Sequence, residues 1–215
     1  MGRRKTSKKA VRKPKQGRSR ATVEAILEAT AQILVERGYA KTTTNHIAGR
    51  AGVSVASFYD YFENKDSAVT AVAARMAEKT RSHAMESARS LMHLPPLQML
   101  RGWLGAMSDF ALENAALLRT FVLEASFVWR APQVRGAAMD LVREAQPYVF
   151  RQQSVPHEWL TEERLMLITV TAGSAILQIT ADPGMAEKRE ELLEELTRMI
   201  TGYIAMTAMA LQKRS

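Results

Sequence analysis

The sequence predicts an all-α fold, and three observations support that prediction. Apolar residues recur every three to four positions through most of the 215 residues, the spacing that places them on one face of a helix. No stretch alternates apolar and polar residues, and no Asn-Gly turn is present, so nothing in the sequence predicts a sheet. Hydrophobic residues make up 47% of the chain, enough for the core of one large or two modest domains.

The first two helices are predicted from their ends. A helix over residues 20–37 stops at Gly38, because glycine adopts the left-handed conformation of a helix end without steric cost. Three successive hydroxyls then offer N-caps to a second helix: Thr42, Thr43 and Thr44. Ile47, Ala48 and Ala51 follow at helical spacing. Gly52 ends this second helix, and a tight turn is expected there.

A third short helix starts directly after the turn, with Ser54 as its N-cap. Phe58 and Phe62 fall one turn apart and are predicted to pack inward. The residues left facing outward are Val55, Ala56, Ser57 and Tyr59. A short helix with small side chains at its start is thereby presented to the surface.

Longer helices follow. Asn64 is predicted to cap a helix that begins at Lys65 and runs towards Leu91, ahead of the Pro95-Pro96 break. The remaining helices are predicted over residues 97–113, 115–129, 133–152, 161–181 and 186–212. Asp182-Pro183-Gly184 separates the last two.

The stretch 38–65 indicates DNA binding. Two short helices joined by a tight turn, the second starting with short side chains, are typical of a helix that enters a major groove. The alternative is an ordinary helical hairpin, since such patterns also arise by chance. The number of agreeing caps and glycines favours the DNA-binding interpretation.

This stretch resembles the DNA-binding domain of the TetR family of bacterial transcriptional regulators. The resemblance covers about residues 20–79 and rests on VEAILEATAQILVERGY, TTTNHIA, the elbow AGVS and SFYDYFENKDSAV. It implies a homodimer that binds a palindromic operator in double-stranded DNA, most simply as a repressor. Val55-Ala56 departs from the polar or glycine residue of many relatives, which puts in doubt the sequence recognised rather than DNA binding itself.

Three segments follow from this resemblance and from composition: a disordered basic arm over 1–19, a DNA-binding domain over 20–80, and an effector-binding and dimerisation domain over 81–215. Tyr59 and Lys65 are the predicted phosphate anchors. Asn45, Val55, Ala56 and Ser57 are predicted to lie at base edges. The complete predicted DNA-binding set is Thr42, Thr43, Thr44, Asn45, His46, Ser54, Val55, Ala56, Ser57, Tyr59 and Lys65.

The N-terminal arm holds the positive charge of the chain. Its first 20 residues contain ten Lys and Arg and no acid, which leaves 20 basic against 22 acidic residues in the rest. A run of like charges with few apolar residues cannot fold alone. We expect it to follow phosphates or to enter a minor groove. A solubilising tail, or a start codon placed too far upstream, would produce the same composition.

The last two helices are predicted to form a dimer interface. Apolar residues make a continuous stripe along 186–212, and 165–181 is an uncharged run of 17 residues that is apolar nearly all round. That run is marginal for a membrane span, and a buried helix is expected instead. Two such hairpins could pack as a four-helix bundle. Burial within a single subunit remains the alternative.

Between the two ends lies a region rich in methionine and aromatic residues. Such side chains line adaptable apolar pockets, so we predict a site for a small apolar effector. The candidates are Trp103, Met107, Phe110, Phe121, Phe127, Trp129 and Tyr148. For any one of them a place in the core is the competing interpretation.

The sequence gives catalysis little support. It lacks cysteine, a glycine-rich phosphate loop and the HExxH and GxSxG motifs, and its histidines have no metal-ligand partners at recognisable spacing. No catalytic residue, metal site or cofactor is therefore predicted, and the protein is expected to be a cytoplasmic regulator rather than an enzyme. An effector-independent regulator and a non-specific architectural DNA-binding protein are the alternatives.

Overall fold

The structure, a computed structural model, describes residues 17–152 and 161–212, and these residues contain helices and no strand. The all-α prediction is confirmed. Ten α-helices follow one another: α1 Gly17–Arg37, α2 Thr44–Arg50, α3 Val55–Tyr61, α4 Lys65–Leu91, α5 Pro96–Glu113, α6 Ala115–Leu123, α7 Pro132–Gln152, α8 Glu162–Ala181, α9 Pro183–Ala186 and α10 Arg189–Gln212. A 3-10 helix, Ser126–Arg130, lies between α6 and α7.

The chain divides into two compact units, Met1–Val72 and Ala73–Ser215. This division falls within α4, and so does the domain boundary proposed from sequence at residues 80 and 81. The basic arm lies outside the described residues as far as residue 16. Its last three predicted residues differ from expectation, because Gly17–Ser19 already belong to α1. Ser19 supplies a reason, since its hydroxyl lies 3.1 Å from the Tyr61 hydroxyl and ties the start of α1 to α3.

The first unit is built around a small apolar core. Its fully buried side chains come from all of α1 to α4, and the largest are Ile26, Ile33, Leu34, Ile47, Phe58, Val69 and Val72. Phe58 and Phe62 both pack inward, as predicted, and their ring centroids lie 5.6 Å apart. Helices α2 and α3 have seven residues each. Helices so short are unstable alone, so this core is what maintains them.

The turn between α2 and α3 is a Schellman motif. Gly52 has a φ of 66°, in the left-handed region that glycine enters without a Cβ penalty. The Val53 amide donates to the Ala48 carbonyl at 3.0 Å, and the Gly52 amide donates to the Gly49 carbonyl at 3.3 Å. These two bonds satisfy carbonyls that the end of α2 would otherwise leave unpaired. Gly38 ends α1 in the same conformation, with a φ of 73°.

The second unit packs α8 against α5, α6, α7 and α10. The helix predicted over 115–129 is interrupted: α6 ends at Leu123, and a 3-10 helix follows. No glycine or proline marks this break in the sequence. It brings Ala125 and Val128 to 0% exposure, so tertiary packing decides it.

The helix predicted over 186–212 is also divided. A short helix, α9, precedes α10, which begins only at Arg189. The Asp182 carboxylate accepts hydrogen bonds from the amides of Gly184 and Met185 at 2.8 and 3.1 Å, and this cap starts α9 immediately after α8.

Within a single subunit, the helix predicted over 165–181 is buried on one face only. Leu167 and Val170 on α8 are 55% and 52% exposed, because only one face of the helix packs against neighbours in this subunit. By length and composition alone, helix α8 is apolar enough to cross a membrane, and only 22% of its apolar segment is buried. An apolar face of this size needs a partner.

Alanine substitution of two glycines that lie three residues apart tests the turn. Gly52→Ala forces a side chain into the left-handed region and should lower the free energy of unfolding by about 1–2 kcal/mol. Gly49→Ala is the matched control, because Gly49 lies within α2 with no atom within 4 Å of an added Cβ, and alanine favours helix there by up to about 1 kcal/mol. Denaturant unfolding followed by circular dichroism measures both. Equal effects of the two substitutions would contradict the turn geometry.

Candidate nucleic-acid interface

Side-chain caps fix the starts of both short helices. The Thr43 hydroxyl accepts the His46 amide at 3.2 Å at the start of α2, and the Ser54 hydroxyl accepts the Ser57 amide at 3.0 Å at the start of α3. The Thr44 and Tyr59 hydroxyls lie 3.3 Å apart and connect the two helices on their outer side. The capped starts therefore form one continuous polar edge.

The predicted base-contacting side chains are at the surface of the first unit. Asn45 and Ala56 are exposed, Val55 is 37% exposed and Tyr59 is 52% exposed. Ser57 is half-buried. We call the exposed side of α2 and α3, formed by residues 43–46, 54–57 and 59, the recognition surface. It combines hydroxyl, amide and methyl groups, which are the groups that pair with base edges and with the thymine methyl.

Thr42 does not belong to this surface, contrary to the prediction. Its side chain is 1% exposed, and its hydroxyl donates to the Gly38 carbonyl at 2.7 Å. Thr42 therefore holds the loop between α1 and α2, and Thr43 alone of the three threonines is the N-cap of α2. Three consecutive hydroxyls could not be told apart from the sequence, because each fits the composition of a cap.

Lys65, a predicted phosphate anchor, is held by Tyr39, a residue that the sequence analysis did not select. The Lys65 ammonium donates to the Tyr39 carbonyl at 3.1 Å and lies 4.1 Å from the centre of the Tyr39 ring. The Tyr39 hydroxyl in turn donates to the Asp66 carboxylate at 2.6 Å. An ammonium has three donors, so one bond to a carbonyl leaves two for a phosphate. An aromatic residue directly after the helix-ending Gly38 was the signal available for Tyr39.

This arrangement raises the pKa of Tyr39 to about 12. Desolvation is the largest cause, followed by the hydrogen bond to Asp66 and the repulsion that its negative charge exerts on a phenolate. Asp66 lies in the first turn of α4, where a carboxylate also interacts favourably with the helix dipole. Tyr39, Lys65 and Asp66 together fix the end of α1 against the start of α4; we call them the Tyr39 clasp.

His46, a member of the predicted DNA-binding set, lies between two partners. Its Nδ1 is 3.2 Å from the Lys41 carbonyl, and its Nε2 is 3.4 Å from Nη1 of Arg37. A proton on Nδ1 satisfies both contacts, because Nδ1 then donates and Nε2 accepts. The neutral ring in that tautomer orients the exposed Arg37 beside the start of α2.

Arg50, at the end of α2, is committed to an ion pair within the unit. Its two terminal nitrogens donate to the two Glu36 carboxylate oxygens at 2.7 Å each, and one also donates to Gln32 at 3.2 Å. The bond to Arg50 holds the pKa of Glu36 below its ordinary value. Such a two-pronged pair fixes orientation as well as distance, so it secures α2 against α1.

The first unit without its arm is neutral. Residues 17–72 contain six Lys and Arg (Arg18, Arg20, Arg37, Lys41, Arg50 and Lys65) and six acids (Glu24, Glu28, Glu36, Asp60, Glu63 and Asp66). The eight basic residues among 1–16 have no acid beside them. Attraction to a polyanion therefore depends on the arm and on the few cations beside the recognition surface.

The second unit contains a cavity of about 570 Å³. Five of the seven predicted effector-pocket residues line it: Trp103, Met107, Phe110, Phe121 and Trp129. Phe127 is half-buried but does not line the cavity, and the side chain of Tyr148 lies outside the described residues. The rest of the wall comes from α4, α6, α7 and α8, and the sequence analysis did not select these residues because alanine, valine and leucine there look like any core.

The sequence comparison is decisive for the first unit. Residues 26–72 match the family described as bacterial regulatory proteins, tetR family. This chain contains a TetR-family DNA-binding domain. An uncharacterized HTH-type transcriptional regulator, YvkB of Bacillus subtilis (strain 168), is 45% identical over 53 residues, a segment that covers 25% of this chain and 28% of that protein. The sequence likeness thus concerns the helix-turn-helix region.

Several solved structures have a similar fold over most of this chain. A transcriptional regulator from Rhodococcus sp. Rha1 has a TM-score of 0.62 at 18% identity, over 86% of this chain and 96% of its own. The TetR family repressor AlkX from Dietzia sp. strain DQ12-45-1b gives 0.59 at 18%, over 86% and 95%. The fatty acid degradation regulator FadR from Bacillus halodurans gives 0.58 at 14%, over 88% and 97%. At these identities the likeness shows the fold alone, and the family match identifies residues 26–72 as a TetR-type helix-turn-helix DNA-binding domain.

The Tyr39 clasp predicts how the free energy of unfolding depends on pH. Tyr39→Phe removes the bond to Asp66 and should lower the free energy of unfolding by about 1 kcal/mol at neutral pH. Folding favours the protonated phenol, because the folded pKa of about 12 exceeds the ordinary value of 10. The stabilisation is therefore complete below pH 10 and is lost as pH rises through 12.

Thermal melts of wild type and Tyr39→Phe from pH 8 to about 12 measure this difference. The two melting temperatures should differ at pH 8 and converge at the alkaline end. A difference that stayed constant up to the alkaline end would show that the phenol proton is not shared with Asp66.

Proposed function

We propose that this protein is a homodimeric, sequence-specific repressor that binds a palindromic operator and leaves it when a small apolar effector occupies the second unit. The observation that carries the DNA-binding half is the recognition surface, where two capped short helices with small exposed side chains are held by the Gly52 turn. A helix presented in this way can approach base edges closely.

We propose two kinds of DNA contact, made by this surface and by Lys65. The Tyr59 hydroxyl, which is exposed beside Thr44, and the two remaining donors of Lys65 would bind phosphates and set the position of the protein on the duplex. Asn45, Val55, Ala56 and Ser57 would face bases. The hydroxyl groups of Thr43 and Ser54 cap the two helices, and the Thr44 hydroxyl lies beside that of Tyr59. We therefore assign these three residues contacts with phosphates at the helix starts, not with bases.

The arm would supply most of the non-specific attraction. The recognition unit has no net formal charge over residues 17–72, whereas residues 1–16 carry eight positive charges. Release of counterions from phosphates is the main source of affinity that does not depend on sequence. We therefore assign affinity to the arm and specificity to the recognition surface.

The apolar face of α8 and α10 supports a homodimer. Large exposed hydrophobic residues lie on these two helices: Leu167, Val170, Met199, Met206 and Met209. Pairing with the same face of a second copy would bury them about a two-fold axis, as predicted for residues 161–181 and 186–212. The same axis would place two recognition surfaces on the two halves of a palindrome. Burial in such a dimer, rather than in a membrane, suits a cytoplasmic protein that must reach the chromosome.

The cavity supports the effector half of the proposal. A volume of about 570 Å³ lies within the range of small-molecule sites, and its wall is mostly apolar. Two solved structures with this fold are described as a fatty acid degradation regulator and as a repressor implicated in biodegradation of n-alkanes, which agrees with an apolar ligand. The ligand can release DNA only if it binds the DNA-incompetent state more tightly, and operator must then weaken ligand binding by the same factor.

The alternatives make different predictions. A non-specific architectural protein would bind operator and random duplex equally at one salt concentration. An effector-independent regulator would bind its operator selectively and would not respond to any ligand of the cavity. The proposed role as a regulator rather than an enzyme rests on the family, and turnover of a metabolite by the purified protein would contradict it.

Operator binding with two matched tyrosine variants tests the recognition surface. The operator is first located by footprinting the protein on the DNA upstream of its own gene. Tyr59→Phe should weaken binding to operator and to random duplex by the same factor, because a phosphate contact carries no sequence information. Tyr61→Phe is the control and should leave affinity unchanged, since the Tyr61 hydroxyl contacts Ser19 inside the unit.

Ser57→Ala completes this test. It should change the preference at particular operator positions by about 1–3 kcal/mol if the hydroxyl contacts a base. A uniform loss across all sequences would place Ser57 at a phosphate instead. Equal binding of operator and random duplex by the wild type would overturn sequence-specific regulation altogether.

Removal of the arm charge gives an independent prediction. Replacing the eight basic residues among 1–16 by glutamine should flatten the slope of log affinity against log salt, by about 0.9 for each phosphate contact that is lost. The preferred operator should stay the same, because the recognition surface is intact. Electrophoretic mobility shifts at several salt concentrations measure the slope, and an unchanged slope would mean that the arm does not contact DNA.

A further inference from the structure

The described cavity wall contains two charged residues, and only one of them is paired with carboxylates. Among the described residues that line the cavity, only Arg81 and Arg135 are charged, and none is an acid. Arg81 is neutralised: its guanidinium donates to both Glu144 carboxylate oxygens at 2.6 Å and to Glu78 at 2.9 Å. These carboxylates raise the pKa of Arg81 and occupy its donors, so it has little left for a ligand.

Arg135 differs from Arg81 in both exposure and pairing. Its side chain is exposed while lining the cavity, so it lies at the rim. In the part of the chain that the structure describes, it has neither an ion pair nor a hydrogen bond from its side chain. It belongs to α7, which also contributes the buried Val134 and Ala137 to the wall. A guanidinium with five free donors thus borders an apolar cavity.

Helix α8 also contributes three polar side chains to the described part of the cavity wall, Thr169, Ser174 and Gln178, and these carry no charge. The Trp103 indole nitrogen already donates to the Ala84 carbonyl at 2.9 Å, and the Thr80 hydroxyl donates to the Met76 carbonyl at 2.9 Å. The buried part of the wall is formed by methyl, thioether and aromatic groups of Met76, Met107, Leu118, Phe121 and Ile176. A polar ligand group placed there would lose its hydration without a partner.

We infer that Arg135 selects the head group of the effector, so that the cavity takes an amphipathic molecule with an apolar body and one oxyanion, such as a carboxylate. The apolar body of the ligand fills the interior of the cavity. The oxyanion stays at the rim, where it forms a bidentate pair with Arg135 and remains in contact with water. This inference rests on the proposed effector function, and it adds the charge and the position of the head group.

Two other ligand types fit parts of the wall. The cluster of Arg81, Glu78 and Glu144 has one excess negative charge, which would attract a cationic amphiphile. Neither glutamate lines the cavity, however, and both point their oxygens at Arg81. A pure hydrocarbon would use the interior alone and would leave Arg135 without a role.

Three probes of one chain length separate these ligand types: decanoate, decanol and decylammonium, each below its aggregation concentration. Two of the three tryptophans, Trp103 and Trp129, line the cavity, so quenching of intrinsic fluorescence reports occupancy. We expect decanoate to bind about three- to fivefold more tightly than decanol and decylammonium, the range for an ion pair in contact with water. Arg135→Gln should remove that advantage and leave decanol affinity unchanged, whereas Arg135→Lys should retain part of it.

Arg130→Gln is the matched control. Arg130 is exposed five residues before Arg135 and does not line the cavity, so this variant should keep the preference for decanoate. The inference is overturned if decylammonium binds best, if the three probes bind equally, if none binds, or if Arg135→Gln keeps the preference. Circular dichroism of the variants confirms that each is folded.

Operator titration with the bound probe separates this inference from the proposed function. If decanoate binds through Arg135 but leaves operator affinity unchanged, the head-group assignment stands and the effector proposal fails. If decanol releases the operator as well as decanoate does at equal occupancy, the effector proposal stands, and the preference for decanoate is then judged by the binding data alone. Loss of the preference in Arg130→Gln would show that it reflects overall charge and would overturn the assignment to Arg135.

Discussion

The conformation of Gly52 is the constraint on which the recognition surface depends. Helices α2 and α3 are too short to persist alone, and their relative direction is set by one residue with a φ of 66° and two backbone hydrogen bonds across it. The buried Ile47 and Phe58 on either side of this turn then hold both helices against the core. Because the inner faces are fixed in this way, exposed positions such as Asn45, Val55 and Ala56 can carry small side chains that the core does not require.

Charged side chains of the first unit mainly hold its helices together. Arg50 and Lys65, which lie near the recognition surface, are also committed to Glu36 and to Tyr39. Such pairs position helices, and they leave the unit without net charge over residues 17–72. A surface so arranged can discriminate between sequences without binding every duplex tightly. In the proposed function, long-range attraction comes from the arm, where salt would screen it.

The second unit combines two surfaces on one helix. Helix α8 contributes Ile176 and Leu177 to the cavity wall, while Leu167 and Val170 remain exposed, and Val170 also lines the cavity. Any partner that covers the exposed side of α8 therefore lies close to the cavity. A change in cavity occupancy could reach a dimer interface through this single helix, which is a short path for coupling. The apolar surface of α8 is larger than one subunit buries.

The sequence by itself determined the elements whose signals are local. Caps at Ser54 and Asn64, glycines at the ends of α1 and α2, and the spacing of Phe58 and Phe62 each depend on residues a few positions apart, and the structure confirms them. The family resemblance followed from the same short stretch, and with it most of the recognition surface. Five of the seven effector-pocket candidates line the cavity, and large aromatic and thioether groups are recognisable from the sequence wherever they occur.

Only the tertiary structure decided what depends on residues far apart in the chain. It buried Thr42 and left Thr43 as the cap, brought Tyr39 onto Lys65 and Asp66, and broke α6 where no sequence signal marks a break. It also exposed one side of α8 and left Arg135 at a rim while Glu78 and Glu144 engaged Arg81. The physical reason is that burial and charge pairing are properties of the neighbours that folding supplies, and one sequence position does not encode them.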